Sequence, residues 1–143
     1  MELESNPKYF GYLLERASRK VKLSFSQAFT QLGLDITPEQ WVILENLYFN
    51  NGLSQTELAE KIFKNTPTIS RILDLLGKKG LTERKRFEND RRRHRIFLTP
   101  AGKKVVEKAQ PVVQELREQG WDKLSEEDYQ HLDRILNQIF DNF

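Results

Sequence analysis

A mainly α-helical fold with a single β-hairpin is predicted by three observations. Between residues 54 and 98 the chain reads as two short helices joined by a tight turn, followed by two strand-like runs around a polar tip. Basic charge is concentrated at that hairpin: residues 78–95 hold nine Lys/Arg against three Asp/Glu, whereas 1–77 hold eight and nine, and 96–143 six and nine. Apolar stripes at helical spacing occupy both ends of the chain. Helix, turn, helix and basic hairpin are the parts of a winged helix-turn-helix. The expected architecture is therefore mainly α, a winged helix-turn-helix with a two-stranded β-hairpin wing, flanked by N- and C-terminal dimerisation helices.

The elements follow in order. Residues 8–32 form a long amphipathic helix, because Leu13, Ala17, Val21, Phe25, Ala28, Phe29 and Leu32 recur at spacings of three and four. Gly33 ends it as a C-terminal cap. Thr37, Pro38 and Gln40 then supply an N-cap, a first-turn proline and the return half of a capping box. Trp41, Leu44, Leu47 and Tyr48 give this second helix its buried face, and Asn50-Asn51-Gly52 stops it. Ser54-Gln55-Thr56-Glu57 is read as another capping box. It opens a short helix to about Phe63, packed through Leu58, Ala59 and Ile62. Asn65 or Thr66 caps the next helix, with Pro67 in its first turn. There Ile69, Ile72, Leu73 and Leu76 face inward, and Gly80 closes it. Leu81–Arg86 and Arg91–Leu98 pair as the hairpin. Thr99-Pro100 starts a helix carrying Val105, Val106, Ala109, Val112, Val113 and Leu116, which Pro111 is expected to kink or break. Ser125 begins the last helix, with Tyr129, Leu132, Ile135, Leu136, Ile139 and Phe140 as its stripe.

The 143 residues amount to one domain, with 38% hydrophobic residues for a core, 31% charged residues and a mean hydropathy of −0.66. No run approaches the about 18 apolar residues of a membrane span. The polar, acidic start MELESNPKYF does not read as a signal peptide, and a cytoplasmic location is expected. The chain has no cysteine, which excludes disulfides, thiol redox sensing and thiolate metal sites. His94 and His131 fall on separate elements, so no metal or cofactor is expected. No Ser-His-Asp or Cys-His arrangement and no phosphate-cradling glycine loop occurs, and the carboxylates sit in helix first turns and on solvated faces. Catalysis is not expected.

Double-stranded DNA is the partner these parts fit. A helix must enter the major groove, where base edges carry a unique donor and acceptor code. Thr66, Pro67, Thr68, Ser70 and Arg71 give the second short helix a polar start for that purpose. Ser54, Gln55 and Thr56 offer hydroxyls, an amide and free N–H groups as a phosphate seat at the start of the first. Asp90, Arg91, Arg92 and Arg93 sit at the wing tip, where an arginine gains from the concentrated negative potential of a narrow minor groove. Plainer readings stand beside these. Ser54 and Thr66 are sufficient as caps alone, Arg71 has Asp74 nearby for a surface pair, and three consecutive arginines in a strand cannot face one way. The alternative function is a winged-helix module that binds a protein or RNA partner. Among the aromatics, core packing is the default, with a crevice between the long N-terminal helix and the winged unit as the alternative. Tyr9, Phe10, Trp41 and Tyr48 are the candidates to line it around a small aromatic or apolar ligand.

The stretches LDITPEQWVILENL, GLSQTELAEKI, TPTISRILDLLGKKGLTERK and NDRRRHRIFLTPAG carry a family likeness. In motif and spacing the chain resembles the MarR family of bacterial transcription regulators over nearly its whole length. The D-x-R wing at Asp90–Arg92 followed by LTPAG is the most specific part. The resemblance implies a single domain over 1–143, with 8–34 and 100–143 as dimerisation helices and 37–99 as the DNA-binding unit. It implies a homodimer on an inverted repeat, regulating transcription as a repressor that small aromatic acids release. It makes Arg92 the minor-groove arginine, Asp90 its orienting partner, and Thr66 to Lys79 the recognition helix. Three positions depart from the pattern. Phe63 stands where the family has glycine in the helix–helix turn, Lys64 where an apolar residue is common, and Arg95 where the strand residue is usually apolar.

Overall fold

The computed structural model describes residues 5–87 and 90–143, with the backbone alone described at 87 and 90–93. A 3-10 turn at Pro7–Tyr9, capped by the Asn6 side chain, leads into α1 (Phe10–Gln31). The long helix therefore begins two residues later than predicted. α2 (Pro38–Phe49) starts on a full capping box. The Gln40 amide donates to Thr37 Oγ1 at 3.1 Å, and the Thr37 amide to Gln40 Oε1 at 3.2 Å. Next come β1 (Leu53–Ser54), α3 (Gln55–Lys61), α4 (Thr66–Lys78), β2 (Thr82–Phe87) and β3 (Asp90–Leu98), then α5 (Pro100–Gly120) and α6 (Glu126–Asp141).

The wing is the hairpin β2–β3, paired from Thr82 opposite Leu98 outward, with a bulge after Arg86. It does not stand alone. β1 pairs with the other edge of β3, Leu53 opposite Ile96 and Ser54 opposite Arg95, giving a three-stranded antiparallel sheet in the order β1-β3-β2. The expected two-stranded wing therefore has a third strand at its root. A two-residue strand carries no alternation for periodicity to detect.

One core joins the elements. Phe29 of α1, Trp41, Ile43, Leu44 and Leu47 of α2, Leu58 of α3 and Ile69, Leu73 and Leu76 of α4 are all buried. Ile96 of β3 and Val106 and Val113 of α5 complete it. Gly102 is needed where α5 meets β2: a Cβ there would sit 2.1 Å from the Leu81 carbonyl oxygen. The neighbouring Thr99 amide donates to that same oxygen at 3.1 Å, and the Thr99 hydroxyl to the Gly80 carbonyl at 2.6 Å.

Two expectations about helix breaks and caps change. Pro111 lies inside α5, which runs unbroken from Pro100 to Gly120. Val106, Ala109 and Val113 are buried on both sides of the proline, and that packing holds the helix through it. Ser54 and Glu57 form half of a capping box. The Glu57 amide donates to Ser54 Oγ at 3.0 Å, but no return bond from Glu57 closes the box. Ser54 is also a strand residue opposite Arg95, so its backbone lies in the β1–β3 ladder.

Three helices end in the same motif. After α1, the Gly33 amide donates to the Thr30 carbonyl (3.0 Å) and the Leu34 amide to that of Phe29 (2.9 Å). After α4, Gly80 donates to Gly77 (3.0 Å) and Leu81 to Leu76 (3.0 Å). After α3, which stops at Lys61 rather than at Phe63, Phe63 donates to Glu60 (3.3 Å) and Lys64 to Ala59 (3.0 Å). This double closure requires a left-handed residue, normally glycine. Gly33 and Gly80 both have φ of +73°, and Phe63 has φ of +51°. A side chain in that region costs on the order of 1 kcal/mol.

Candidate nucleic-acid interface

The turn at Phe63 sets α3 and α4 against each other, and their N-termini emerge on one side. At the start of α3, Ser54 Oγ caps the Glu57 amide, while Thr56 stays exposed. Gln55 Nε2 reaches across to the Thr66 carbonyl at 3.4 Å and joins the two helix starts. On α4 the cap is Asn65, whose Oδ1 accepts from the Thr68 amide at 2.8 Å. That choice releases the Thr66 hydroxyl from capping. Thr66, Pro67 and Arg71 are exposed, one turn apart along the helix, while Thr68 and Ser70 are half-buried.

Ser70 is turned toward the wing rather than outward. Arg84 of β2 crosses to α4, where its Nη1 donates to Asp74 Oδ1 at 2.6 Å. Its Nη2 donates to the Ser70 carbonyl at 3.1 Å and lies 3.5 Å from Ser70 Oγ. The expected Arg71–Asp74 surface pair is thus replaced: Asp74 pairs with Arg84. Arg84 was missed as a positioning residue because it lay in a basic run read as one phosphate-facing cluster. The available signal was strand alternation, which sets Arg84 and Arg86 apart from Lys85. Lys85 instead lies 5.0 Å from the centre of the Phe97 ring and pairs with Glu83.

At the other end of α4, Lys79 Nζ donates to the Asp35 carbonyl at 2.6 Å and to Gln40 Oε1 at 3.1 Å. The recognition-helix candidate is thereby pinned at its middle to the wing and at its C-terminus to the start of α2. The side chains of Asp90, Arg91, Arg92 and Arg93 lie outside the described residues. Their backbone continues β3 outward from the Arg86–His94 pair.

The four aromatic candidates are not brought together. Trp41 is 1% exposed and packs on Phe29 in the core, with ring centroids 5.7 Å apart. It also lines a groove of about 220 Å³ between α1, α2, α5 and the α3–α4 turn, with Val21, Lys22, Phe25, Ile62, Lys64 and Arg117 among the other walls. Tyr9, Phe10 and Tyr48 do not line that groove. Tyr9 and Phe10 are exposed at the start of α1, and Tyr48 packs edge-on against Phe49. Trp41 Nε1 is buried with no acceptor among the described residues. Arg117 at the rim holds Glu45 through two bonds of 2.7 and 3.0 Å. Among the described residues no group of three His, Cys, Asp or Glu is arranged to hold a metal ion, and no helix is long and apolar enough to cross a membrane.

A helix-turn-helix backed by a three-stranded wing sheet defines the class: a winged helix-turn-helix DNA-binding fold. The MarR family model matches residues 36–94. Among solved structures, the chain is similar to MepR of S. aureus in a DNA complex, at 31% identity and TM-score 0.84, over 94% of this chain and 98% of that one. MepR in a DNA-binding conformation matches at 31% identity and TM-score 0.80, over 93% and 97%. A mutant of E. coli MarR complexed with operator DNA matches at 25% identity and TM-score 0.80, over 90% and 91%. The chain belongs to the MarR family. It is a DNA-binding transcriptional regulator, not an enzyme.

Proposed function

We propose that the chain acts as a homodimer on a pseudo-palindromic, double-stranded operator, represses transcription there, and is released by a small aromatic or apolar ligand. The observation that carries this reading is the exposed Thr66-Pro67-Arg71 face of α4, beside a basic wing to which α4 is tied by Arg84. In this reading α4 enters the major groove, with Thr66, Pro67, Thr68, Ser70 and Arg71 facing or flanking base edges. Ser54, Gln55 and Thr56 seat a phosphate at the start of α3. Arg92 enters the minor groove, Asp90 orients it, and Arg91 and Arg93 serve phosphates. Residues 37–99 form the reading unit, and 8–34 with 100–143 supply the dimer interface.

Apolar residues left exposed on both terminal helices support the homodimer: Leu13, Leu14 and Val21 on α1, and Leu132, Ile135, Leu136 and Phe140 on α6. Two-fold symmetry would set the two α4 helices about 34 Å apart, one helical turn of DNA. Selection of bound sequences from a random duplex pool tests the reading. A palindrome is expected. Enrichment of no duplex, or binding indifferent to salt, would favour a protein- or RNA-docking module instead.

For ligand release, the Trp41 groove is the site with unspent polar capacity. Trp41 Nε1 would donate to a carboxylate or phenol oxygen, the apolar walls would take a ring, and Lys64 would supply positive charge, since Lys22 is paired with Glu39 and Arg117 with Glu45 in the same walls. Release requires unequal affinity for the DNA-competent and DNA-incompetent states. Salicylate titrated into the DNA complex should lower affinity at millimolar concentration, and Trp41→Phe should abolish that effect.

A further inference from the structure

Of the three helix ends closed by the same double hydrogen bond, two use glycine and one uses Phe63. The glycine caps have a second support: each brings an apolar pair together, Leu34 with Phe29 and Leu81 with Leu76. In the Phe63 cap the corresponding residues are Lys64 and Ala59, which supply no such pair. This cap is therefore strained in backbone and lacks the usual apolar contact. Nor is the Phe63 ring repaid by burial, since it is 78% exposed. Its ring contact is with Phe140, 77 residues away near the end of α6, at a centroid separation of 4.8 Å and an interplanar angle of 75°. Phe140 itself is 55% exposed.

From this we infer that the Phe63–Phe140 contact is a brace between the α6 helix and the turn that sets α3 against α4, so that seating α6 in its dimer holds the DNA-reading turn in shape. The inference rests on the dimeric, DNA-reading function proposed above. Its physical content is linkage. Phe63 holds the left-handed turn only while its ring has a partner, and the partner sits on an element whose apolar face needs a second subunit. Any shift of α6 within the dimer then changes the stability of the α3–α4 turn, without contact at the DNA surface itself.

Hydrogen exchange on the full-length protein tests the brace without DNA. In Phe140→Ala the amides of Phe63 and Lys64 should exchange several-fold faster. Those of Gly33, Leu34, Gly80 and Leu81, the two glycine caps, should keep their rates. Phe140→Trp, which retains an aromatic ring, should restore protection. Unchanged rates at Phe63 and Lys64, or an equal rise at all three caps, would overturn the proposal, the second because it reports only global loosening.

DNA binding then tests the consequence, at concentrations where sedimentation shows each variant dimeric. Phe63→Gly relieves the backbone strain and removes the ring, so its melting temperature should not fall. Phe140→Ala should weaken binding about fivefold in the wild-type background but not in Phe63→Gly, whose glycine holds the left-handed turn without a brace. An equal loss from Phe140→Ala in both backgrounds would refute the coupling. If the wild-type dimer bound no duplex at all, the DNA reading would fail while the exchange result still decided the brace.

Discussion

Arg92 is the residue on which the wing argument turns. Replacing it with Ala should change stability by no more than about 0.5 kcal/mol, as for an exposed surface position. It should weaken duplex binding and reduce the dimer's log–log salt slope by about 2, one phosphate per subunit. Arg91→Ala and Arg93→Ala are the comparison: in the proposed reading they serve phosphates alone, so they should lower the salt slope but lose less affinity than Arg92→Ala. Equal, slight losses in all three would reduce the wing to a solvated loop. Gly102→Ala should cost about 1–3 kcal/mol in thermal or denaturant unfolding, since both the new Cβ and the Leu81 carbonyl it meets are fixed to backbone. Asp128 gives a pH test. Its carboxylate accepts the Ser125 N–H at 2.9 Å, and that bond, then the Ser125 hydroxyl, holds its pKa below the ordinary 3.8. The contribution of this cap is complete above 3.8 and is lost as pH falls through the lower folded value. An NMR titration should place the Asp128 midpoint below 3.8; a midpoint at or above it would contradict the cap geometry. Among single residues, Thr37, Gly33 and Gly80 were legible because capping depends on local chain chemistry. Ser70 was not, because its surroundings are set by Arg84, which reaches it from another element.

At the scale of elements, the helices were legible from their apolar spacing, and their ends moved by a residue or two. β1 was not, since two residues are too few for a period, and the break that Pro111 suggested does not occur because the helix is held by tertiary packing. Pro111→Ala should raise stability by about 1–2 kcal/mol. It restores a backbone donor in mid-helix and gives back a smaller entropy gain to the unfolded chain. A lower melting temperature would mean that the proline is needed by the α5 packing. The Arg84 strap gives the second test. Arg84→Ala should weaken DNA binding with an unchanged salt slope, because the guanidinium is spent on Asp74 and Ser70 rather than on phosphate. A slope smaller by about 2 would show instead that it neutralises DNA directly.

For the whole molecule, the apolar stripes at the two ends of the sequence were legible as helices that keep much apolar surface exposed, although Phe29 of the first is buried in the core and Tyr129 and Phe140 of the second pack on Trp121 and Phe63. Tyr129, Leu132, Ile135 and Leu136 are all exposed on α6. Sedimentation at micromolar concentration should find a dimer. Leu132→Glu with Ile135→Glu should give a monomer, or a chain that no longer folds, and should abolish operator binding. A stable dimer in that variant would place the interface elsewhere. The groove beside Trp41 was the least legible feature. Trp41 and the cations around it come from α1, α2, α5 and the α3–α4 turn, and no local pattern records which side chains such a convergence assembles.

The pairing of Ser54 with Arg95 has one more implication. It welds the first residue before α3 to the returning strand of the wing, while Arg84 welds the outgoing strand to α4. Within one subunit, the parts that would grip backbone, major groove and minor groove therefore behave as one rigid calliper with a fixed gape. Operators should be intolerant of an inserted or deleted base pair inside a half-site and more forgiving of one between half-sites, where the dimer helices alone must flex.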